Sequence, residues 1–285
     1  MRLLAGALAA VQFGSAGADC PVSTRVGISD RGYASYRTTD RYGGIVIDMF
    51  KEVTHRTGCK FEFVWLPSVR MMDWMDSKRI DIGATLVHHP ERDSRARFLP
   101  YAYTQFYLVQ SKTMPERFTS LAEFTEHSRA RLNVVRGLVL GPRIEAQLAV
   151  LMRAKRIEYV NNFETLFRKM ESGRAEATIT SPVIYLHHLR LMGLEEKVVF
   201  TPIVESPPQF IGVYASTRTL DREAIDSIAG ALNEMLVDRT MQTLYARYLD
   251  PELVSQLFKP GTAALSAALQ GSAQPEPREE GHPRR

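Results

Sequence analysis

Residues 67–101 read PSVRMMDWMDSKRIDIGATLVHHPERDSRARFLPY, and no other stretch constrains the fold as much. Val69, Met72 and Met75 recur at every third position, the spacing of a short amphipathic helix. Residues 80–86 follow as an apolar run of strand length that ends in small residues, Thr85 among them. His88-His89-Pro90 then turns the chain into a basic segment with Arg92, Arg95 and Arg97. A strand that ends in small residues and delivers an arginine suits a small anion. A guanidinium makes two parallel charge-assisted hydrogen bonds to a carboxylate, and nearby backbone N–H groups reach the same ligand. Arg95 and Arg97 read as a solvated charged face.

The same alternation of strand and helix runs through the rest of the chain. Residues 24–29 form a strand, followed by a polar loop carrying Tyr33 and Tyr36. A helix over 44–57 has Ile45, Met49, Phe50 and Val53 on one face and Gly58 as its cap. Residues 60–66 alternate Phe61, Phe63 and Trp65, a strand pattern. Such alternation implies parallel sheets with right-handed crossovers, which bind ligands at the carboxyl ends of their strands. The Tyr33–Tyr36 loop and the turn leading to Arg92 both leave strands at that end. Residues 103–110 read as one strand leaving this first unit. A second set has strands over 132–135, 157–160, 175–180 and 197–201, with helices over 142–152, 162–172 and 182–192. Residues 210–215 return to the first unit, and helices over 221–237 and 239–249 close it.

The layout is therefore α/β and two-lobed. Lobe 1 spans 19–110 and 209–258, with lobe 2 (111–208) inserted into it. Each lobe is a mostly parallel sheet flanked by helices, and two crossing strands form a hinge. Residues 259–285, rich in Ala, Gly, Pro, Ser and charge, read as a disordered tail. A cleft between lobes is a natural small-ligand site.

Residues 1–18 have the order of an export signal: Arg2, an apolar core over 3–13, and Ala16-Gly17-Ala18 as a cleavage site, placing the mature protein in the periplasm. Only Cys20 and Cys59 are present, and in an oxidising compartment such a pair tends to join. Each precedes a predicted strand, and neighbouring parallel strands would set the two side by side. The net charge, 36 − 32 = +4, is too small and dispersed to argue for nucleic acid.

With these elements placed, the residues carry a family likeness. Gly44, Asp48, Met49, Phe50 and Glu52 form G-x-x-x-D-M-F-x-E. Lys78-Arg79-Ile80-Asp81-Ile82, Pro90-Glu91-Arg92 and Phe98-Leu99-Pro100-Tyr101 are similar to an "I-D … T-P-E-R … F-x-x-P-Y" signature. Ser172-Gly173-Arg174-Ala175-Glu176-Ala177 resembles a second-lobe "x-G-R-x-D-A" segment. The pattern resembles the type II periplasmic solute-binding proteins, family 3. That resemblance implies two hinged lobes, capture of a small-molecule solute, and delivery by a monomer to an ABC permease, with no cofactor. It gives Arg92 the role of gripping a ligand carboxylate and Tyr33 and Tyr36 that of an aromatic wall. It has the Gly137 turn offer backbone N–H groups, and it leaves Arg70 and Arg136 open between cleft and solvent.

Three departures bear on the ligand. His89 replaces the Thr of T-P-E-R. No carboxylate stands near Thr180 or Ser181, where the family holds an α-ammonium. Lys78 replaces a common turn glycine. The expectation is a carboxylate solute without that amine, or an amine met elsewhere, for example by Glu205. A dehydratase of the cyclohexadienyl type would need a general acid or base, for which Glu176, His89 and Glu205 are the candidates. A ligand sensor or redox-system accessory is a third reading. Neither His88-His89 nor His187-His188 has the spacing to chelate alone, so no metal site is expected.

Overall fold

The computed structural model describes residue 20 and residues 23–271. The expected export signal over 1–18 and the end of the tail lie outside them. The first lobe opens with β1 (Thr24–Ile28), a small ribbon of β2 (Tyr36–Arg37) and β3 (Tyr42–Gly43), α1 (Ile45–Thr57), β4 (Phe61–Trp65), α2 (Met71–Asp76), β5 (Ile82–Val87) and β6 (Ala96–Thr104). The second holds β7 (Tyr107–Ser111), α3 (Leu121–His127), β8 (Leu132–Val135), α4 (Pro142–Arg153), β9 (Ile157–Val160), α5 (Phe163–Glu171), β10 (Ala177–Thr180), α6 (Pro182–Met192) and β11 (Val198–Pro202). The chain returns through β12 (Gln209–Ser216), α7 (Arg222–Val237), α8 (Thr240–Ala246), α9 (Pro251–Leu257) and α10 (Ala263–Leu269).

Each lobe is built on a five-stranded sheet, ordered β4-β1-β5-β12-β6 in the first and β11-β7-β10-β8-β9 in the second. The βαβ strands are parallel, β1 with β4 and β5, and β8 with β9 and β10. The strands that meet the crossings run the other way. β12 is antiparallel to β5 and β6, and β7 to β10 and β11. The sheets are therefore mixed, because two chain crossings must enter and leave each lobe on its cleft side.

The chain crosses at residues 105–106 and 203–208, and Phe106 N donates to Ser206 Oγ (2.8 Å), tying the crossings together. The run 103–110, expected as one first-lobe strand, is split there: β6 ends at Thr104 and β7 belongs to the second sheet. The lobe boundary thus falls near residue 105, not 110.

Asp81, of the I-D pair, ties the start of β5 to β1. It accepts from Arg25 N (2.9 Å), Nε (2.9 Å) and Nη2 (2.8 Å), and Arg25 keeps its carboxyl below the usual range although burial acts the other way. Lys78, in place of a turn glycine, still adopts the left-handed conformation (φ 58). Cys20 and Cys59 form a disulfide with Cα atoms 5.3 Å apart, just ahead of the paired starts of β1 and β4. The expected disordered tail is corrected over 259–271. Leu265 and Leu269, one helical turn apart, are buried where α10 packs on β6 and α7. Arg97 reaches Asp226 and the Leu269 carbonyl, and Arg95 pairs with Asp76, so neither is a free solvated charge.

Candidate solute-binding cleft

Between the sheets lies a cleft of about 860 Å³, counting its open mouth. Its floor comes from β5, β6 and the loop after β1, and its roof from the Gly137 turn after β8 and the start of α6. Thr85, Arg92, Gly137 and Ser181, four of the residues proposed from the sequence, line it. So do Arg31, Ser68, Tyr101 and Tyr103, which the sequence reading passed over. Among the described lining residues there is no Asp, Glu or His.

Arg92 ends a short 3-10 turn that Pro90 starts, directly after β5. The turn is anchored by Tyr214, whose hydroxyl accepts from His89 N (2.8 Å) and donates to the His89 carbonyl (3.1 Å). The Arg92 guanidinium sits 5.6 Å over the Tyr214 ring, and its Nη1 donates to the Val87 carbonyl (3.3 Å). Burial weakens its hold on its proton, and no carboxylate forms an ion pair with it among the described residues.

Thr85 sits in a bulge of β5. Gly212 pairs with Leu86 and Tyr214 with Gly83, so Ala84 and Thr85 together oppose Val213. Thr85 has φ 57, a left-handed backbone that costs a β-branched residue roughly 1–3 kcal/mol. Its buried Oγ1 lacks a well-formed hydrogen bond, although the Tyr101 hydroxyl lies beside it. Burial pushes that phenol up to about 12.

Arg31 is 6% exposed, and its Nη1 has no hydrogen-bond partner. Burial lowers its guanidinium to about 10 against the opposing charge of Asp30. Asp30 itself turns to the Gly32 N–H (3.3 Å) and to His188 Nε2 (3.3 Å). The signal available in the sequence was Arg31's position in the loop already assigned to the cleft.

Several expected site residues lie elsewhere. Tyr33 and Tyr36 pack on His187 of α6, with centroids 4.9 Å away in each case, and the Tyr33 hydroxyl accepts from Arg190 Nη1 (3.2 Å). They join the lobes instead of walling the cleft, because Gly32 lets the loop approach the Val183 carbonyl more closely than any side chain would. Arg70 is exposed at the end of the turn Ser68–Arg70. Arg136 is exposed, with its guanidinium 5.6 Å over the Tyr159 ring. The His89 side chain lies off the cleft, 3.9 Å from Glu91. Glu205 accepts from Leu121 N (3.0 Å) and Ala122 N (2.9 Å) at the start of α3, and Glu176 from Arg131 N (2.7 Å). Both acids are occupied by backbone and cannot serve the cleft.

Two α/β lobes joined by two crossings, with a cationic cleft between them, define a capture protein for a small solute. The chain matches the family model of the bacterial extracellular solute-binding proteins, family 3, over residues 25–251, and belongs to that family. It is similar to the L-cystine-binding protein TcyA of Bacillus subtilis (strain 168), 23% identical over 220 residues, 76% of each chain. Its fold is that of an ancestral arginine-binding protein bound to arginine (TM-score 0.66, 21% identity, 80% of this chain and 98% of that one). It is also that of an ABC uptake transporter substrate-binding protein from Streptococcus pneumoniae with bound histidine (TM-score 0.68, 15% identity, 80% and 92%). A third similar structure is the ancestral amino acid-binding protein AncCDT-1, a precursor of cyclohexadienyl dehydratase (TM-score 0.65, 22% identity, 79% and 95%).

Proposed function

We propose that this chain is exported, acts as a monomer, and captures a small carboxylate-bearing solute in the interlobe cleft for an ABC permease. The observation that carries the reading is Arg92, a half-buried guanidinium facing the cleft with no carboxylate of its own. A buried charge left unpaired is costly, and an anionic ligand removes that cost. The arginine and histidine in the similar structures both bear a carboxylate. We read the chain as a binder and not a dehydratase, since no acid or histidine among the described residues lines the cleft to move a proton.

The test is a thermal-shift panel of small acids, amines and sugars on the purified protein. A ligand at about a hundred times its dissociation constant adds roughly 2.7 kcal/mol. An acid is expected to give the largest shift, and Arg92→Ala to abolish it. A shift with amines or sugars alone, or one that survives in Arg92→Ala, overturns the reading.

A further inference from the structure

The cleft holds a second guanidinium besides the one at Arg92. Arg31 is nine-tenths buried, lines the same cavity, and has an Nη1 without a partner. Its neighbour Asp30 does not serve it, being directed to Gly32 and His188. Both guanidiniums line one cavity, which they share with the apolar side chains of Met71, Met72, Leu86, Phe106, Leu138 and Ile211. No described lining residue is acidic, so an ammonium group would enter without a counter-charge.

Resting on the carboxylate reading above, we propose that the cleft is built for an organic dicarboxylate with an apolar body and no ammonium, with Arg92 holding one carboxylate and Arg31 the other. Each buried guanidinium then gains a charge-assisted partner on binding, and the apolar middle is covered by apolar side chains.

The test titrates the full chain with paired probes by calorimetry: glutarate against pentanoate, adipate against hexanoate, phthalate against benzoate, and glutamate against glutarate. At least one diacid is expected to bind tenfold or more tighter than its monoacid partner, and glutarate tighter than glutamate. Arg31→Met is expected to weaken the diacid at least tenfold more than the monoacid and so bring the diacid-to-monoacid ratio to about one; Arg31→Lys is expected to keep part of the advantage. Arg31→Gln repeats the measurement should Arg31→Met not fold. A ratio near one in the unaltered protein, a ratio unchanged without Arg31, tighter binding of glutamate, or no binding of any diacid overturns the proposal. A diacid-to-monoacid ratio near one in the unaltered protein, with acid binding lost in Arg92→Ala, would leave the broader carboxylate reading standing while this one falls. Binding of amines or sugars with no acid bound removes both.

Discussion

The rim of the interlobe gap and its interior treat their polar groups in opposite ways. At the rim, the loop after β1 meets α6 and partners are supplied across the lobes. Asp30 meets His188, Tyr33 meets Arg190, and both tyrosines lie on His187. Inside, Arg31 Nη1 has no hydrogen-bond partner, Thr85 Oγ1 has only the Tyr101 hydroxyl beside it, and Arg92 has only a carbonyl at 3.3 Å. These contacts between the lobes are thus met within the protein, whereas the interior keeps unpaired polar groups. On the proposed reading, lobe closure and solute recognition fall to different residues and can be separated by substitution.

Arg92→Ala should have the largest effect. Truncating one member of a buried charge pair costs about 2–5 kcal/mol, so affinity for a bound acid should fall by about thirtyfold or more. Calorimetry on the variant checks this, and a folded protein with unchanged affinity would place the grip elsewhere. Gly32→Val acts on the rim instead. Gly32 has φ +57, and a Cβ there would lie 2.5 Å from the Val183 carbonyl. The substitution should hold the lobes apart, weaken binding by about 1–3 kcal/mol through strain in the closed form, and enlarge the scattering radius without unfolding either lobe. Arg31→Met should stabilise the ligand-free protein by about 1–2 kcal/mol, because it removes an uncompensated buried charge. The sign is fixed by a guanidinium lowered to about 10. Its penalty is present in full below pH 10 and is relieved only as pH rises above that. A lower melting point in this variant would mean that Arg31 is paired in solution.

The alternation of strands and helices made the two-lobed fold legible from the sequence, as periodic burial is a local signal. The pairing of Cys20 with Cys59 was legible for the same reason, since parallel neighbours start side by side. The antiparallel strands of each sheet were not, because the direction of a strand depends on where the chain crosses. The strand expected over 103–110 concealed one of those crossings. Arg92, Gly137 and Ser181 could be placed because motif and turn chemistry fix the backbone near them. Tyr33 and Tyr36 were misplaced for an instructive reason. Their loop does reach the second lobe, but Gly32 brings it so close that the rings meet His187 and do not line the cleft. Arg31 could not be singled out, since burial without a partner is a property of the assembled cleft. The end of the chain deceived by composition: an Ala-rich run with Leu265 and Leu269 one turn apart forms a docked helix.

The smallest expected effect tests whether the rim is sensitive to acid. Burial first, and then the neighbouring His188, lowers His187 to about 4, with Asp30 opposing. A histidine depressed in the folded state binds its proton more readily once unfolded. Stability should therefore be level above pH 6.5 and should decline as pH falls from 6.5 toward 4, by on the order of 1 kcal/mol once solvent screening is allowed for. Asp30 does not blur this window. His188 holds its carboxyl below the usual range despite burial, so its own contribution is lost only at lower pH. His187→Phe keeps a ring for Tyr33 and Tyr36 and removes the titrating group. Its melting temperature should decline less than that of the unaltered protein between pH 6.5 and 4, and equal declines would show that the imidazole is open to solvent and the rim looser than its contacts imply.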